Sequence, residues 1–408
     1  MSDTPTLLMA RQPILNSKGK TVAYELLCRS VAINSLESQD TDGTMATGEV
    51  IIGAFHDLGI DTITSGLPAF VNLTESWLSS PPPVKANKLV CEVLEYIPPN
   101  TTNIEAVQQL RAQGFKVALD DYTGDAEQSK WLPYVDIVKV DISDIVEGQS
   151  SASLIQRHQN DTLVWLAEKV ETLEEFKRCA AEGYSLFQGY FFSRPAPLFG
   201  TRKNDSQFAV MRLLKTINNE ENTMLDISNA IQSDPQLSYR ILQFMNSASV
   251  AKITEITSVH HAATMAGVDR IKSWANMLAL GRLDNKPRAL LEQALSRAYI
   301  CQMLVKKQNI LDQHTAYTTG MFSLLDAFID LPLAEVCTTL ELSTTMTDAL
   351  LNHEGGYGQI LQLAIAINKG NWTQINTLPQ NISIPDLADI QSKAFSEVSQ
   401  QLILSGLN

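Results

Sequence analysis

The sequence predicts an α/β barrel followed by an all-helical domain, and three observations carry that expectation. Up to about residue 198, short apolar runs alternate with helical patterns. Residues 195–207 then break the pattern with proline, glycine and polar side chains. Beyond them the apolar spacing changes to about 3.6 and keeps that period towards the C-terminus. A length of 408 residues fits two domains of roughly 200 residues each better than a single core. The domains are therefore expected at 1–198 and 199–408.

The first half is read strand by strand. Strand-like runs fall at residues 22–24, 69–71, 88–91, 116–119, 137–140, 163–166 and 186–187. Helical stretches at 49–58, 104–112, 152–158 and 173–181 separate them. Gly114 and Gly183 follow two of these helices, where a left-handed residue ends the turn. Repeated strand–helix alternation implies a largely parallel sheet. Seven or eight strands in under 200 residues favour a compact TIM-like barrel.

In the second half, Ile227, Ala230 and Ile231 form one apolar stripe. Asp234-Pro235 reads as an N-cap followed by proline at the first helical position. Leu237, Ile241, Leu242 and Met245 continue on the next helix. A further segment begins near Ser258 and runs to Met265, with Gly267 as a punctuator. Ile271, Trp274, Leu278 and Leu280 then line another helix. No strand alternation of any length follows, so this half reads as a helical domain.

Composition excludes several roles. The formal net charge of −14 opposes nucleic-acid binding, which needs a basic surface. No apolar run approaches the roughly 20 residues that span a bilayer, and the N-terminus lacks the layout of a secretory signal, so a cytoplasmic protein without a membrane partner is expected. Five scattered cysteines, Cys28, Cys91, Cys179, Cys301 and Cys337, form no CxxC pair. They are read as buried thiols rather than a disulfide framework or a zinc site.

In a parallel barrel, chemistry sits at the carboxyl ends of the strands. Those ends carry Glu25 with Arg29 following, Asn72, Glu92 with Glu95 behind it, and the pair Asp120-Asp121. The later strands carry Lys139 and Asp141, then Glu168 with Glu171 beyond, and finally Gln188. If these groups converge, several carboxylates a few ångströms apart repel unless a cation neutralises them. Oxygen donors without histidine or cysteine select a hard ion such as Mg²⁺ or Mn²⁺. Lys139 is suited to positioning a water or neutralising charge, and Arg29 to holding a phosphate. The chemistry implied is metal-assisted phosphodiester hydrolysis.

Ordered motifs make a resemblance specific. Gln12-Pro13-Ile14, Tyr24-Glu25-Leu26-Leu27-Cys28-Arg29, Val71-Asn72-Leu73-Thr74 and Glu92-Val93-Leu94-Glu95 are followed by Leu119-Asp120-Asp121-Tyr122 and Lys139-Val140-Asp141. Ala167-Glu168-Lys169-Val170-Glu171 and Gln188-Gly189-Tyr190 complete the series. Over about residues 8–197 the chain resembles the EAL domains, the cyclic di-GMP phosphodiesterases. Their corresponding motifs read QPI, (F/Y)EALLR, VNLS, EITE, LDDF, KID, AEGVE and QGYxFSxP. The resemblance implies metal ligation by Glu25, Asn72, Glu92 and Asp120, with Asp121 near a second ion. It implies that Lys139 orients the attacking water, that Glu168 is general base or ligand, and that Gln188 steadies water or substrate. Arg29 and Asp141 stand as substrate-binding candidates, and Glu95 as the brace of the loop after Asp121.

That loop departs from the family's FGTGYSSL, reading Tyr122-Thr123-Gly124-Asp125-Ala126-Glu127-Gln128-Ser129. The stretch between Arg29 and Asn72 also departs from the family's usual lobe. Family members often dimerise through the barrel, so a homodimer is a further expectation, weakened by the altered loop. Residues 227–283 resemble an HDOD domain, through Ser233-Asp234-Pro235-Gln236-Leu237, Ile241-Leu242, Met245-Asn246-Ser247-Ala248 and the run 256–267. Such domains lack the metal-binding histidine–aspartate set of the related hydrolases and imply a protein partner. His56-Asp57 is the sole His-Asp dipeptide and lies in the other half, while His260 and His261 are adjacent and suit one ion poorly. Two uses of the barrel follow: hydrolysis of cyclic di-GMP to pGpG under a regulatory helical domain, or an inactive receptor or scaffold.

Overall fold

The computed structural model describes residues 7–30, 59–79, 84–143, 151–157, 162–193, 205–246, 256, 258–283, 286–309, 311–377 and 382–405. Eight strands close into a barrel in sequence order: β1 (Leu7–Asn16), β2 (Thr21–Ser30), β3 (Ala69–Leu73), β4 (Leu89–Val93), β5 (Lys116–Leu119), β6 (Ile137–Asp141), β7 (Val164–Glu168) and β8 (Leu186–Gln188). β1 runs antiparallel to both β2 and β8, and every other neighbouring pair is parallel. A tight turn makes the antiparallel pairing possible. The Asn16 side-chain oxygen accepts from the N–H groups of Lys18 and Lys20, each at 3.0 Å. Parallel neighbours need a longer crossover.

The seven apolar runs fall on β2 to β8. β1 was not among them, because Arg11-Gln12-Pro13 interrupts its apolar pattern. Those residues have other work: the Arg11 guanidinium lies 4.8 Å above the Tyr24 ring, and Pro13 pairs with Tyr24 in the register. Helices follow the expected positions at Thr101–Ala112, Ser151–Arg157 and Leu173–Glu182. Asn100 caps the first by accepting from the Asn103 N–H at 2.9 Å. Thr172 and Glu175 form a capping box on the third, which stops at left-handed Gly183. The helix expected at 49–58 lies outside the described residues.

Period-two alternation positions the site. Ile14, Ala23, Phe70, Val90, Ala118, Ile137 and Leu166 form one apolar cluster with partly buried Leu186 packed on it. Two residues along, on the same face of each strand, come Gln12, Glu25, Asn72, Glu92, Asp120, Lys139, Glu168 and Gln188. The oxygen-rich layer is therefore the next storey above a packed hydrophobic floor.

The chain divides into two compact units, Met1–Phe192 with Ile382–Ser392, and Ser193–Asn381 with Lys393–Asn408. Among its described residues the second unit is helical, beginning with Asp205–Asn218, Met224–Gln232, Pro235–Met245, Val259–Ala266 and Val268–Leu280. Asp234 caps the third of these helices through the N–H groups of Gln236 and Leu237. Burial opposes its charge, but Arg282 and these N–H groups outweigh that and lower its pKa. Ser258 caps the next helix, accepting from the His261 N–H at 3.1 Å. Arg288–Gln308 and Gln313–Phe322 cross closely at Gly320, where a β-carbon would stand 2.6 Å from the Arg297 carbonyl oxygen. Cys91, Cys179, Cys301 and Cys337 are free and buried. No described helix is long and apolar enough to cross a membrane.

Candidate active site

Lys139 organises the layer. Its side chain is 1% exposed, and its ammonium nitrogen lies 2.7 Å from Glu92, 2.7 Å from Asp120, 3.1 Å from Glu168 and 3.5 Å from Glu25. Burial alone would favour the neutral amine. The four carboxylates outweigh it and raise the lysine pKa well above its ordinary value. In two of the acids burial prevails instead, which favours their neutral form. Burial drives Glu92 well above the usual carboxylate range despite Lys139, with Glu25 and Asp120 adding to the rise. Burial likewise pushes Glu168 up to about 8, against the pull of Lys139.

The register brings these groups level. Asn72 pairs with Glu92 across β3 and β4, Asp141 with Glu168 across β6 and β7, and Gln12 with Glu25 across β1 and β2. Gln188 donates from Nε2 to Gln12 Oε1 at 2.9 Å and to Glu25 Oε2. Gln12 thus joins the layer although its sequence motif gave it no role. Its signal was the two-residue offset from inward-facing Ile14. Among the described residues, Asn72 Oδ1, Glu92 Oε2 and Gln188 Oε1 are buried and make no hydrogen bond. Arg29 is the penultimate residue of β2, but its side chain lies outside the described residues.

A second group sits at the rim. Glu95, Asp120 and Asp121 each bring an oxygen within 4.8 Å of the others. Among the described residues this is the group of histidine, cysteine and acid side chains spaced to hold an ion. Burial, then Asp120 and Glu95, raises the Asp121 pKa. Asp121 has φ 41° and turns the chain into the departing loop. The loop is tied by Gln128, which accepts from Thr123 N–H at 2.9 Å and donates to the Asp121 carbonyl at 3.1 Å. Buried Tyr122 reaches Ser129 at 2.9 Å. Asp141 accepts from the Ser143 N–H and hydroxyl at 2.8 and 2.7 Å and pairs with Lys169. Burial would raise its pKa, but Lys169 and Ser143 prevail and lower it.

Gly189 locks Gln188 in place. It has φ 150°, and a β-carbon there would lie 2.0 Å from the Val170 carbonyl oxygen. The same Val170 donates its N–H to the Gln188 carbonyl at 3.0 Å. Gly189→Ala is therefore expected to cost about 3 kcal/mol through forced backbone displacement. Urea unfolding checks this, and a midpoint equal to that of the unaltered protein would refute it.

The donor set suits a hard divalent ion. It offers carboxylate and amide oxygens without a soft ligand, and two of those oxygens, on Asn72 and Glu92, are buried and unpartnered. Fold and site together define an α/β barrel with an acidic, lysine-centred layer at the carboxyl ends of its strands. Family models match at residues 54–195, for the EAL domain, and at residues 207–337, for the HDOD domain. The uncharacterized protein YuxH of Bacillus subtilis is 33% identical over 383 residues, covering 91% of this chain and 93% of that protein. The cyclic di-GMP phosphodiesterase CdgJ of Vibrio cholerae is 31% identical over 396 residues, covering 95% and 90%. A solved EAL domain protein from Listeria monocytogenes covers 47% of this chain and 89% of its own, at 20% identity and a TM-score of 0.37. The chain belongs to the family of proteins that join an EAL domain to an HDOD domain.

Proposed function

We propose that the barrel is a metal-dependent phosphodiesterase that opens cyclic di-GMP to linear pGpG. The observation that carries this reading is the buried layer of oxygen donors gathered around Lys139, with unpartnered oxygens on Asn72 and Glu92. CdgJ, a relative along nearly the whole chain, is named for that activity. Glu25, Asn72, Glu92 and Asp120 would hold Mg²⁺ or Mn²⁺, with Asp121 and Glu95 beside a second ion. Such ions acidify bound water and draw charge from a phosphoryl oxygen.

The chain's own groups do the rest. Lys139, charged and fixed by four carboxylates, is the group that would orient the attacking water. Glu168, whose carboxyl titrates near 8, takes the water's proton as the oxygen adds to phosphorus. One phosphorus–oxygen bond to a ribose then breaks, its electron pair leaves on the ribose oxygen, that oxygen takes up a proton from water, and the ring opens. Gln188 steadies water or substrate from the opposite side of Glu25. Arg29 and Asp141 bind the substrate, and Glu95 braces the loop after Asp121. The helical domain regulates the barrel through a protein partner, the chain pairs with a second copy through the barrel, and the protein works in the cytoplasm.

The test is incubation of purified protein with cyclic di-GMP and Mg²⁺ or Mn²⁺. Glu25→Ala removes one ligand and the acceptor of the Gln188 bond. It is expected to lower the rate of pGpG formation by at least about 10²-fold. Tight binding without turnover in the unaltered protein would make it a receptor, and absence of both would refute the nucleotide as ligand.

A further inference from the structure

Lys169 is a non-glycine residue with φ 53°, one position beyond Glu168. The backbone on its far side is fixed, since Val170 donates to the Gln188 carbonyl and accepts from the Phe191 N–H at 3.2 Å. Left-handed backbone suits glycine and costs a residue with a β-carbon. Glycine is what the motif AEGVE has at this position. The lysine side chain is 65% exposed and its ammonium pairs with Asp141. Only the lysine end of this pair is exposed, because the Asp141 side chain is 5% exposed. The pair therefore compensates a buried carboxylate and at the same time holds an ammonium at the solvent.

Close by lie the carboxylates of Glu95, Asp120, Asp121, Asp141 and Glu168, which repel a phosphodiester anion unless cations neutralise them. Lys139 is enclosed beneath by four carboxylates. Lys169 faces solvent, and its charge also acts on Asp121, whose pKa stays raised by burial, Asp120 and Glu95. Asp141 holds the ammonium at the rim, and Ser143 in turn holds Asp141 through its other oxygen.

We propose that Lys169 is a substrate-binding residue, a rim ammonium presented by Asp141 that takes a phosphate oxygen of the incoming cyclic dinucleotide. This inference rests on the phosphodiesterase reading above.

Steady-state kinetics on cyclic di-GMP with Mn²⁺, at low and at moderate salt, compares the unaltered protein with Lys169→Gly and Lys169→Arg. Thermal melts check that Lys169→Gly remains folded under the assay conditions, because backbone relief and loss of the Asp141 pair act in opposite directions. The KM of this variant should rise about fivefold or more at low salt while kcat stays within about twofold. The increase of KM with salt should also flatten. Lys169→Arg, which keeps the charge, should retain the low KM. If Lys169→Gly leaves KM and its salt dependence unmoved in an active protein, this proposal fails alone. The same holds if Lys169→Arg behaves as Lys169→Gly does. In a protein that binds without turnover, the dissociation constant replaces KM in the same comparison. A protein that neither binds nor cleaves the nucleotide overturns both readings.

Discussion

Replacing Lys139 with methionine is expected to destabilise the metal-free protein by about 3–5 kcal/mol, the range for uncompensating a buried charge, and to abolish turnover. Methionine fills a similar volume, so the loss is electrostatic rather than a cavity. The ammonium is the cation within 3.5 Å of Glu25, Glu92, Asp120 and Glu168. Without it, four carboxylates share a site in which Glu92 has no exposure. The protein can respond by taking up protons or by binding a divalent ion. The deficit should therefore shrink at low pH and when Mg²⁺ or Mn²⁺ replaces chelator. Urea unfolding of both proteins, with and without chelator, reads the difference. Equal stability in chelator would show that the lysine does not hold the layer together. A kcat that falls by less than about 10²-fold, with metal present and the fold intact, would remove Lys139 from the chemistry.

The layer was legible because each strand obeys period two above an apolar floor. Phe70 then Asn72, Val90 then Glu92, Ala118 then Asp120, and Leu166 then Glu168 repeat one pattern on four strands. A polar residue two positions beyond a buried one at a strand's carboxyl end has to enter the same interior. β1 escaped because Arg11, Gln12 and Pro13 interrupt its apolar run, leaving Ile14 as the inward apolar residue beside Gln12. The enclosure of Lys139 by acids from four other strands was also beyond reach. It depends on the register between β6 and strands up to 114 residues away in sequence, which no local pattern encodes. Lys169 escaped for a third reason. A matching motif reads as a match, and only a backbone angle reveals that lysine occupies a glycine's conformation.

The second large effect joins pH to metal. Glu168 has an ordinary carboxyl value of 4.5 and stands at about 8 in the folded chain, and Glu92 is raised as well. Between these limits the folded state binds more protons than the unfolded state. The slope of unfolding free energy with pH follows protons bound unfolded minus protons bound folded, which is negative here. The metal-free protein should therefore lose stability as pH rises from about 4.5 to about 8, by up to about 1.4 kcal/mol per pH unit for each group titrating alone. Asp136 and Asp141, whose values are lowered, act with the opposite sign but below the ordinary aspartate range, outside this window. Ligation needs ionised carboxylates, so divalent ion uptake should expel protons and reverse the trend. Thermal melts in chelator should give a lower midpoint at pH 8 than at pH 6, with the increment from Mn²⁺ larger at pH 8. Calorimetry of Mn²⁺ binding in buffers of different ionisation enthalpy should register the released protons. Glu168→Gln, neutral throughout, should flatten the chelated profile between pH 6 and 8. A flat profile in the unaltered chelated protein would mean that Glu168 stays ionised in the fold. The layer would then hold four charged carboxylates against one lysine, and the proton-accepting role proposed for Glu168 would lose its basis.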